Sequence, residues 1–123
     1  MRAMNLPSIL IVEDEEGIRE SYKLILENQY DLTFARNGIE ALNLLEKQSF
    51  AAALLDIKMP LLNGLETLKK IHHLYPKLKV IMVTGYQSVE TAREATKHGA
   101  FDYLIKPFDS AQILETVRKA LQK

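Results

Sequence analysis

Acidic, hydroxyl and basic side chains stand at the ends of four short apolar runs in the chain. These residues are Glu13 and Asp14, Asp56, Thr84, and Lys106. Clustered carboxylates repel one another unless protons or a cation relieve them. The sequence contains no cysteine, so an all-oxygen site for a hard ion such as Mg²⁺ is favoured, and Mg²⁺ commonly recruits phosphate oxygens. These residue types therefore predict a site for a divalent cation and a phosphoryl group.

Asp56 is the candidate nucleophile of this site. It follows the apolar run 51–55, which is expected to hold its carboxylate rigidly where it can attack phosphorus. Phosphoryl transfer is catalysed mainly by positioning and by stabilising negative charge on the equatorial oxygens. Thr84 and Lys106 are expected to supply that stabilisation, and no separate general base is required.

A repeated alternation of strands and helices is predicted to position these groups. Apolar runs at 8–12, 32–35, 51–55, 80–83 and 101–105 are each followed by a segment with helical spacing. Capping patterns predict helix starts at 37–40, 63–66 and 109–112. Tyr75-Pro76 is predicted to end the third helix, and Gly99 to be the left-handed residue that ends the fourth.

The strand order follows from which runs are continuously apolar. Central parallel strands are buried on both faces, whereas edge strands alternate or carry charges. The second and fifth runs are interrupted in this way, so they are predicted to be the edges of an α/β, doubly wound, five-stranded parallel sheet of order 2-1-3-4-5. This flavodoxin-like three-layer arrangement binds ligands beyond the carboxyl ends of its strands, where the candidate residues should meet.

Composition favours one soluble domain. The 123 residues have a formal net charge of zero and 26% charged residues, which gives no bulk attraction to nucleic acid or anionic membrane. No apolar run approaches the ~20 residues of a membrane span, and nothing at the N-terminus reads as an export signal. We expect a cytoplasmic protein, a single domain over residues 1–123 with its core at 8–121, and no direct binding of nucleic acid or membrane.

The chain resembles the response regulator receiver family of bacterial two-component signalling over residues 8–121. The resemblance lies in ILIVEDE at 9–15, LLDIKMP at 54–60 with Asn63-Gly64 following, VTG at 83–85, and GAFDY and KPF at 99–103 and 106–108. The sequence of residues 83–92 is similar to that of receivers of the nitrogen-regulator type, which usually precede other domains.

This resemblance implies a role for each matching residue. Asp56 would take a phosphoryl group from a kinase phosphohistidine, with Thr84 and Lys106 contacting its oxygens and the backbone of Ile57 and Gly85 beside it. Asp14, Asp56 and the Lys58 carbonyl would ligate Mg²⁺, for which Mn²⁺ could substitute, and Glu13 would act through water. Pro60 and Gly64 would shape the following loop, and the Lys106-Pro107 peptide would be cis.

The family also implies a switch and a set of partners. Thr84 would move toward the phosphoryl group, Tyr103 would fill the vacated space, and the face of the fourth helix, fifth strand and fifth helix would change. The expected partners are a sensor histidine kinase or phosphotransfer protein and a downstream output domain or protein, with possible homodimerisation on phosphorylation. The chain would be a signalling receiver that catalyses its own Mg²⁺-dependent phosphorylation and dephosphorylation rather than a conventional enzyme.

Three other interpretations fit the residues less well. A phosphohydrolase of the haloacid dehalogenase type needs a second acid two positions after its nucleophile, where Lys58 stands. A flavodoxin needs a loop rich in serine, threonine and glycine after the first strand, where this chain has acids. An interaction platform that is never phosphorylated usually lacks part of the acidic site, which this chain retains.

Overall fold

The computed structural model describes residues 6–56, 64–85 and 89–122, and strands alternate with helices throughout these ranges. The described strands are β1 (Ser8–Val12), β2 (Asp31–Ala35), β3 (Ala52–Asp56), β4 (Lys79–Thr84) and β5 (Asp102–Ile105). The described helices are α1 (Glu16–Leu26), α2 (Gly38–Lys47), α3 (Gly64–Leu74), α4 (Val89–Lys97) and α5 (Ser110–Gln122). The predicted α/β alternation is thus confirmed.

The strands form one parallel sheet of order β2-β1-β3-β4-β5. Every residue of the central strand β3 is buried, whereas the edge strands β2 and β5 each bury a single residue. This difference is the one that continuous and interrupted apolar runs predict. Both the strand order and the choice of edges are confirmed.

Two apolar cores lie on opposite faces of the sheet. One core packs α1 and α5 against the sheet, and Tyr22, Leu26, Ile113 and Val117 are among its buried residues. The other core packs α2, α3 and α4 against the opposite face. Because helices cover both faces, the loops after the strands are the places where polar groups can meet.

Two of the predicted capping patterns are formed. The Asn37 side chain accepts a hydrogen bond from the Glu40 N–H (2.8 Å) at the start of α2. At α5, Asp109 and Gln112 each accept a hydrogen bond from the other's backbone N–H, at 2.8 and 2.9 Å, which is a complete capping box. The predicted cap at Asn63 lies outside the described residues.

The predicted helix ends are also confirmed. Helix α3 ends at Leu74, directly before Tyr75-Pro76. After α4, Gly99 has φ +105°, and a Cβ added there would lie 2.5 Å from the His72 ring. Gly99 is therefore required both by its backbone conformation and by the close approach of α3.

Two site residues lie inside strands, although the sequence predicted them to follow the strands. Asp56 is the last residue of β3, paired in register with Val83, and Thr84 is the last residue of β4, paired with Ile105. Their polar side chains do not interrupt the ladder because strand pairing uses the backbone. Both positions are consequently fixed by a neighbouring strand.

Across the described ranges, no helix combines the length and apolar composition that crossing a bilayer requires.

Candidate functional site

The backbone of Glu13 is anchored on both sides at the carboxyl end of β1. Its N–H donates to the Ala35 carbonyl at 2.9 Å, and its own carbonyl accepts a hydrogen bond from Arg19 Nη1 at 2.9 Å. Arg19 lies on α1, so the first helix and β2 together fix this residue. The role of Arg19 could not be predicted from the sequence, because its contact is to a backbone atom.

Lys106 brings the ends of β1, β3, β4 and β5 together. Its Nζ lies 3.3 Å from Asp56 Oδ2 and 3.7 Å from Glu13 Oε1, and its N–H donates to the Thr84 carbonyl at 2.6 Å. The lysine side chain is 27% exposed, whereas the side chains of Glu13 and Asp56 are 1% and 8% exposed. A partly exposed ammonium therefore lies between two buried carboxylates.

The environment of the buried Glu13 carboxyl raises its pKa. Burial, and then the negative charge of Asp56, raise its pKa to about 7, against the opposing effects of the Glu15 N–H and Lys106. Oε2 accepts a hydrogen bond from the Glu15 N–H at 3.2 Å, while the buried Oε1 has no hydrogen-bond partner in the described structure. Lys106, at 3.7 Å, is too distant for a hydrogen bond. The site is short of positive charge.

A second group of acids lies on the loop between β1 and α1. One carboxylate oxygen each from Glu13, Asp14 and Glu15 lies within 4.8 Å of the other two. Asp14 and Glu15 are exposed, and this set of three does not include Asp56, which is connected to Glu13 through Lys106. Glu15 is not among the site residues predicted from the sequence, so its place in this group is new.

Thr84 and Tyr103 lie on the neighbouring strands β4 and β5. Thr84 is 1% exposed, and its hydroxyl donates to the carbonyl of half-buried Gly85 at 3.1 Å. Tyr103 pairs in register with Met82 and packs, half-buried, against the core under α2, α3 and α4. Tyr103 therefore lies two positions before Ile105, the register partner of Thr84, and the switch assigned to these two residues remains a prediction.

The remaining predicted site residues divide into those that can be placed and those that cannot. The Lys106-Pro107 peptide is cis, as expected, and Gly64 is buried as the first residue of α3. Ile57, Lys58 and Pro60 lie outside the described residues. Their predicted roles at the metal and the phosphoryl group remain predictions.

An aromatic pair lies in the core that packs α1 and α5 against the sheet. The Tyr22 ring stacks on Phe108 with ring centroids 5.9 Å apart and an angle of 23° between the rings. Burial raises the pKa of Tyr22, and the charges of Glu13 and Asp56 raise it further, so its hydroxyl stays protonated beside the acids. Sequence periodicity places Tyr22 on the inner face of α1 but does not identify its partner.

The donor set suits a hard divalent cation. The acids supply oxygen ligands only, and no cysteine is available anywhere in the chain. The buried Glu13 oxygen without a hydrogen bond and the raised pKa of Glu13 are both relieved by added positive charge. The donor chemistry of these acids therefore suits the predicted Mg²⁺, while the ligand set of Glu13, Asp14 and Asp56 remains a prediction.

Comparison with known proteins agrees with this geometry. A family model described as the response regulator receiver domain matches residues 9–118. Transcriptional regulatory protein ZraR of Escherichia coli K12 is 40% identical over 114 residues, which cover 92% of this chain and 26% of that protein. Regulatory protein AtoC of the same strain is 40% identical over 123 residues, covering 99% of this chain and 26% of that protein.

Solved structures give the same result. NtrX from Brucella abortus superposes with a TM-score of 0.90 at 31% identity, covering 95% of this chain and 27% of that chain. A CheY-like receiver domain protein from Methanospirillum hungatei JF-1 gives a TM-score of 0.89 at 40% identity, covering 96% of this chain and 95% of that chain. The present chain spans about a quarter of the length of the curated relatives described above.

Proposed function

Because the chain belongs to the response regulator receiver family, we propose that it is the phosphoacceptor of a two-component phosphorelay and that Asp56 is the accepting residue. Receivers of this family are parts of response regulators in two-component systems. The observation that carries the proposal is the Lys106 ammonium, which lies 3.3 Å from Asp56 and 3.7 Å from Glu13 at the carboxyl edge of the sheet.

Asp56 acts as the nucleophile in this proposal. One of its carboxylate oxygens attacks phosphorus while the P–N bond of the donor phosphohistidine breaks. The imidazole leaves with the electron pair of that bond, and an acyl phosphate forms on Asp56. Pairing of β3 with β4 at Asp56 and Val83 holds the attacking group in place, which is the main requirement of phosphoryl transfer.

Lys106 and Thr84 stabilise the transferred group. In the free protein the Lys106 ammonium donates a hydrogen bond to Asp56. During the reaction it donates instead to a phosphoryl oxygen. The Thr84 hydroxyl donates to the Gly85 carbonyl in the free protein. It turns to donate to a second phosphoryl oxygen during the reaction. Both donors lie on backbones joined by the hydrogen bond from Lys106 N–H to the Thr84 carbonyl, so they are preorganised for this purpose.

A Mg²⁺ ion would be held by Asp14, Asp56 and the Lys58 carbonyl, with Glu13 acting through water, and Mn²⁺ could substitute. The bound ion supplies charge neutralisation for the phosphoryl oxygens. Burial and, after it, the negative charge of Asp56 raise the pKa of Glu13, and binding of the ion would lower this repulsion. The same site is proposed to catalyse hydrolysis of the acyl phosphate.

Phosphorylation is proposed to change the surface formed by α4, β5 and α5. Thr84 moves toward the phosphoryl group and Tyr103 moves into the space it leaves. Among the side chains of α4 that the structure describes, the buried ones are the small Ala92 and Ala95, which supports a movable element at this face. Phosphorylation shifts the balance between the two states only by its difference in free energy between them.

The partners follow from the same proposal. They are a sensor histidine kinase or phosphotransfer protein and an output domain or protein, with homodimerisation on phosphorylation. ZraR and AtoC are named as regulatory proteins of which this chain matches about a quarter. Residues 1–123 would act as a single receiver domain in the cytoplasm, without themselves binding nucleic acid or membrane.

Treatment with acetyl phosphate and Mg²⁺ tests the proposal. The wild type is expected to gain the mass of one phosphoryl group, and Asp56→Asn to gain none. Asp102→Asn is the matched control, because Asp102 is the first residue of β5 and pairs with Ile81 rather than with Thr84 at the carboxyl end of β4, and this variant should be phosphorylated normally. An unmodified wild type, or equal modification of Asp56→Asn, would contradict the assignment.

A further inference from the structure

Helix α1 carries an exposed leucine between two acids on its outer surface. Leu24 is 77% exposed, more than any other large apolar side chain in the described ranges. Glu20 and Glu27 stand about one turn before and after it on the same side, and both are exposed. Neither acid takes part in an ion pair in the described part of the chain, and Lys23 is the only basic residue between them. This α1 ridge (Glu20, Leu24 and Glu27) therefore combines an apolar centre with an excess of negative charge.

A groove between α2 and α3 has the complementary composition. It encloses about 480 Å³, and the described residues that line it are Leu42, Lys69, Lys70, His73 and Leu74. Leu74 is 58% exposed, and both lysines are exposed. Among the described residues, no acid lines the groove and neither lysine forms an ion pair. This α2–α3 groove therefore combines apolar surface with uncompensated positive charge.

The ridge and the groove match in polarity and in sign of charge. A single exposed leucine is ordinary on a protein surface and does not by itself indicate a partner. Here, however, Leu24 can leave water against the apolar part of the groove while Glu20 and Glu27 approach Lys69 and Lys70. Such opposite patches attract one another and fix the orientation of a contact. The formal net charge of zero leaves no overall repulsion between copies of the chain.

The two surfaces cannot meet within one molecule, because they lie on opposite faces of the sheet. Helix α1 packs with α5 on one face, and α2 and α3 pack on the other. We propose that the α1 ridge of one molecule docks in the α2–α3 groove of a second copy. The ridge and the groove are different surfaces, so this head-to-tail contact does not close at two molecules and can continue along a row.

The association is expected to be weak and independent of phosphorylation. A contact between one helix face and one groove is at the small end of specific interfaces, so we expect a dissociation constant of about 10⁻⁴ M. Its charged part is exposed and should weaken as salt is added. It involves neither Asp56 nor Mg²⁺ and thus goes beyond the proposed function.

Sedimentation velocity at increasing protein concentration, without Mg²⁺ or phosphodonor, tests the contact. The wild type is expected to self-associate, and Asp56→Asn to behave in the same way. The ridge variant Glu20→Lys/Glu27→Lys and the groove variant Lys69→Glu/Lys70→Glu should each associate at least about tenfold more weakly. Thermal melting verifies that these surface variants are folded.

Combining the ridge and groove substitutions in one chain is the decisive experiment. The fourfold variant has the wild-type net charge and restores opposite signs on the two surfaces, so it should regain association. Arg93→Glu/Lys97→Glu is the matched control, because it makes the same change of net charge as the groove variant at exposed positions of α4 and should associate like the wild type.

Three results would overturn the inference without touching the proposed function. The first is a wild type that stays monomeric up to about 1 mM, well above the expected dissociation constant. The second is association that neither the ridge variant nor the groove variant weakens. The third is a fourfold variant that stays as weak as its two parents, since the surfaces would then not contact each other. Phosphorylation of Asp56 is measured separately and can succeed or fail in each case.

Discussion

The amino and carboxyl edges of the sheet are formed by the same five strands but differ in the side chains that lie there. At the amino edge, beside the turns before β3 and β4, lies a cavity of about 430 Å³. Its apolar lining residues include Leu45, Phe50, Tyr75 and Leu78. At the carboxyl edge, the buried side chains include Glu13, Asp56 and Thr84. One end is stabilised by apolar contact, whereas the other holds charges away from water.

The difference indicates where stability has been given up for function. Burial of apolar side chains is favourable in proportion to the area removed from water. Burial of Glu13 is unfavourable, because its pKa is raised to about 7 and one of its oxygens accepts no hydrogen bond in the described structure. Substitutions at the amino edge should therefore destabilise the protein, and removal of an acid at the carboxyl edge should stabilise it.

The largest effect is expected from Leu45→Ala at the amino edge. Leu45 is 7% exposed and belongs to the core under α2, α3 and α4, so truncation should lower the free energy of unfolding by roughly 3 kcal/mol. Leu24→Ala is the control, because Leu24 is 77% exposed, and it should change stability by less than about 0.5 kcal/mol. Urea unfolding followed by circular dichroism measures both, and equal losses would contradict the contrast.

Glu13→Gln is expected to raise the free energy of unfolding of the metal-free protein at pH 8. The ordinary pKa of Glu13 is 4.5 and the folded-state pKa is about 7. Between these values the folded state keeps a proton that the unfolded state has lost, so stability falls as the pH rises. The displacement corresponds to about 3 kcal/mol, and since the amide is still a buried polar group we expect a gain of roughly 2 kcal/mol.

Measurement at two pH values sharpens this prediction. At pH 5 the wild-type Glu13 is largely protonated when folded, so most of the gain from Glu13→Gln should disappear. Urea unfolding in EDTA at pH 8 and pH 5 provides the comparison. Glu20→Gln, an exposed acid on α1, should show little change at either pH. A gain that is the same at both pH values would show that desolvation of the charge is not its cause.

The smallest effect is expected at a helix start beside the site. Asn37→Ala removes the side-chain bond to the Glu40 N–H and should lower stability by about 1 kcal/mol. Asn43→Ala, at an exposed position inside the same helix, should be neutral or slightly stabilising because alanine favours helix. Thermal melting compares the two, and an equal loss would show that the cap is not what stabilises the start of α2.

The fold was predictable because its signals are periodic. Continuous apolar runs distinguish β1, β3 and β4 from the edges, and this settles the strand order. That order in turn predicts which strand ends share an edge, so Glu13, Asp56 and Lys106 could be expected to meet. The ends of β3 and β4 were predicted one residue too early. The polar side chains of Asp56 and Thr84 suggest that the strands have ended, although their backbones are still paired with the neighbouring strands.

The details of the site were less predictable, since they depend on side-chain positions. Nothing in the spacing of Glu15 distinguishes an acid beside Glu13 from an ordinary acid at a helix start. The bond from Arg19 to a carbonyl depends on the path of the loop. The stacking of Tyr22 on Phe108 joins positions far apart in the chain. The sequence pattern indicates that each ring is apolar but does not identify its contact partner.

That aromatic contact also bears on the order in which the protein forms. Tyr22 lies in the first helix, and Phe108 follows the last strand. A ribosome that has released only the first half of the chain has therefore made Glu13 and Tyr22 but neither Lys106 nor the ring that covers Tyr22. Contacts between such distant positions carry a large loop-closure entropy, so the acidic centre is expected to mature late in folding, when the C-terminal segment docks.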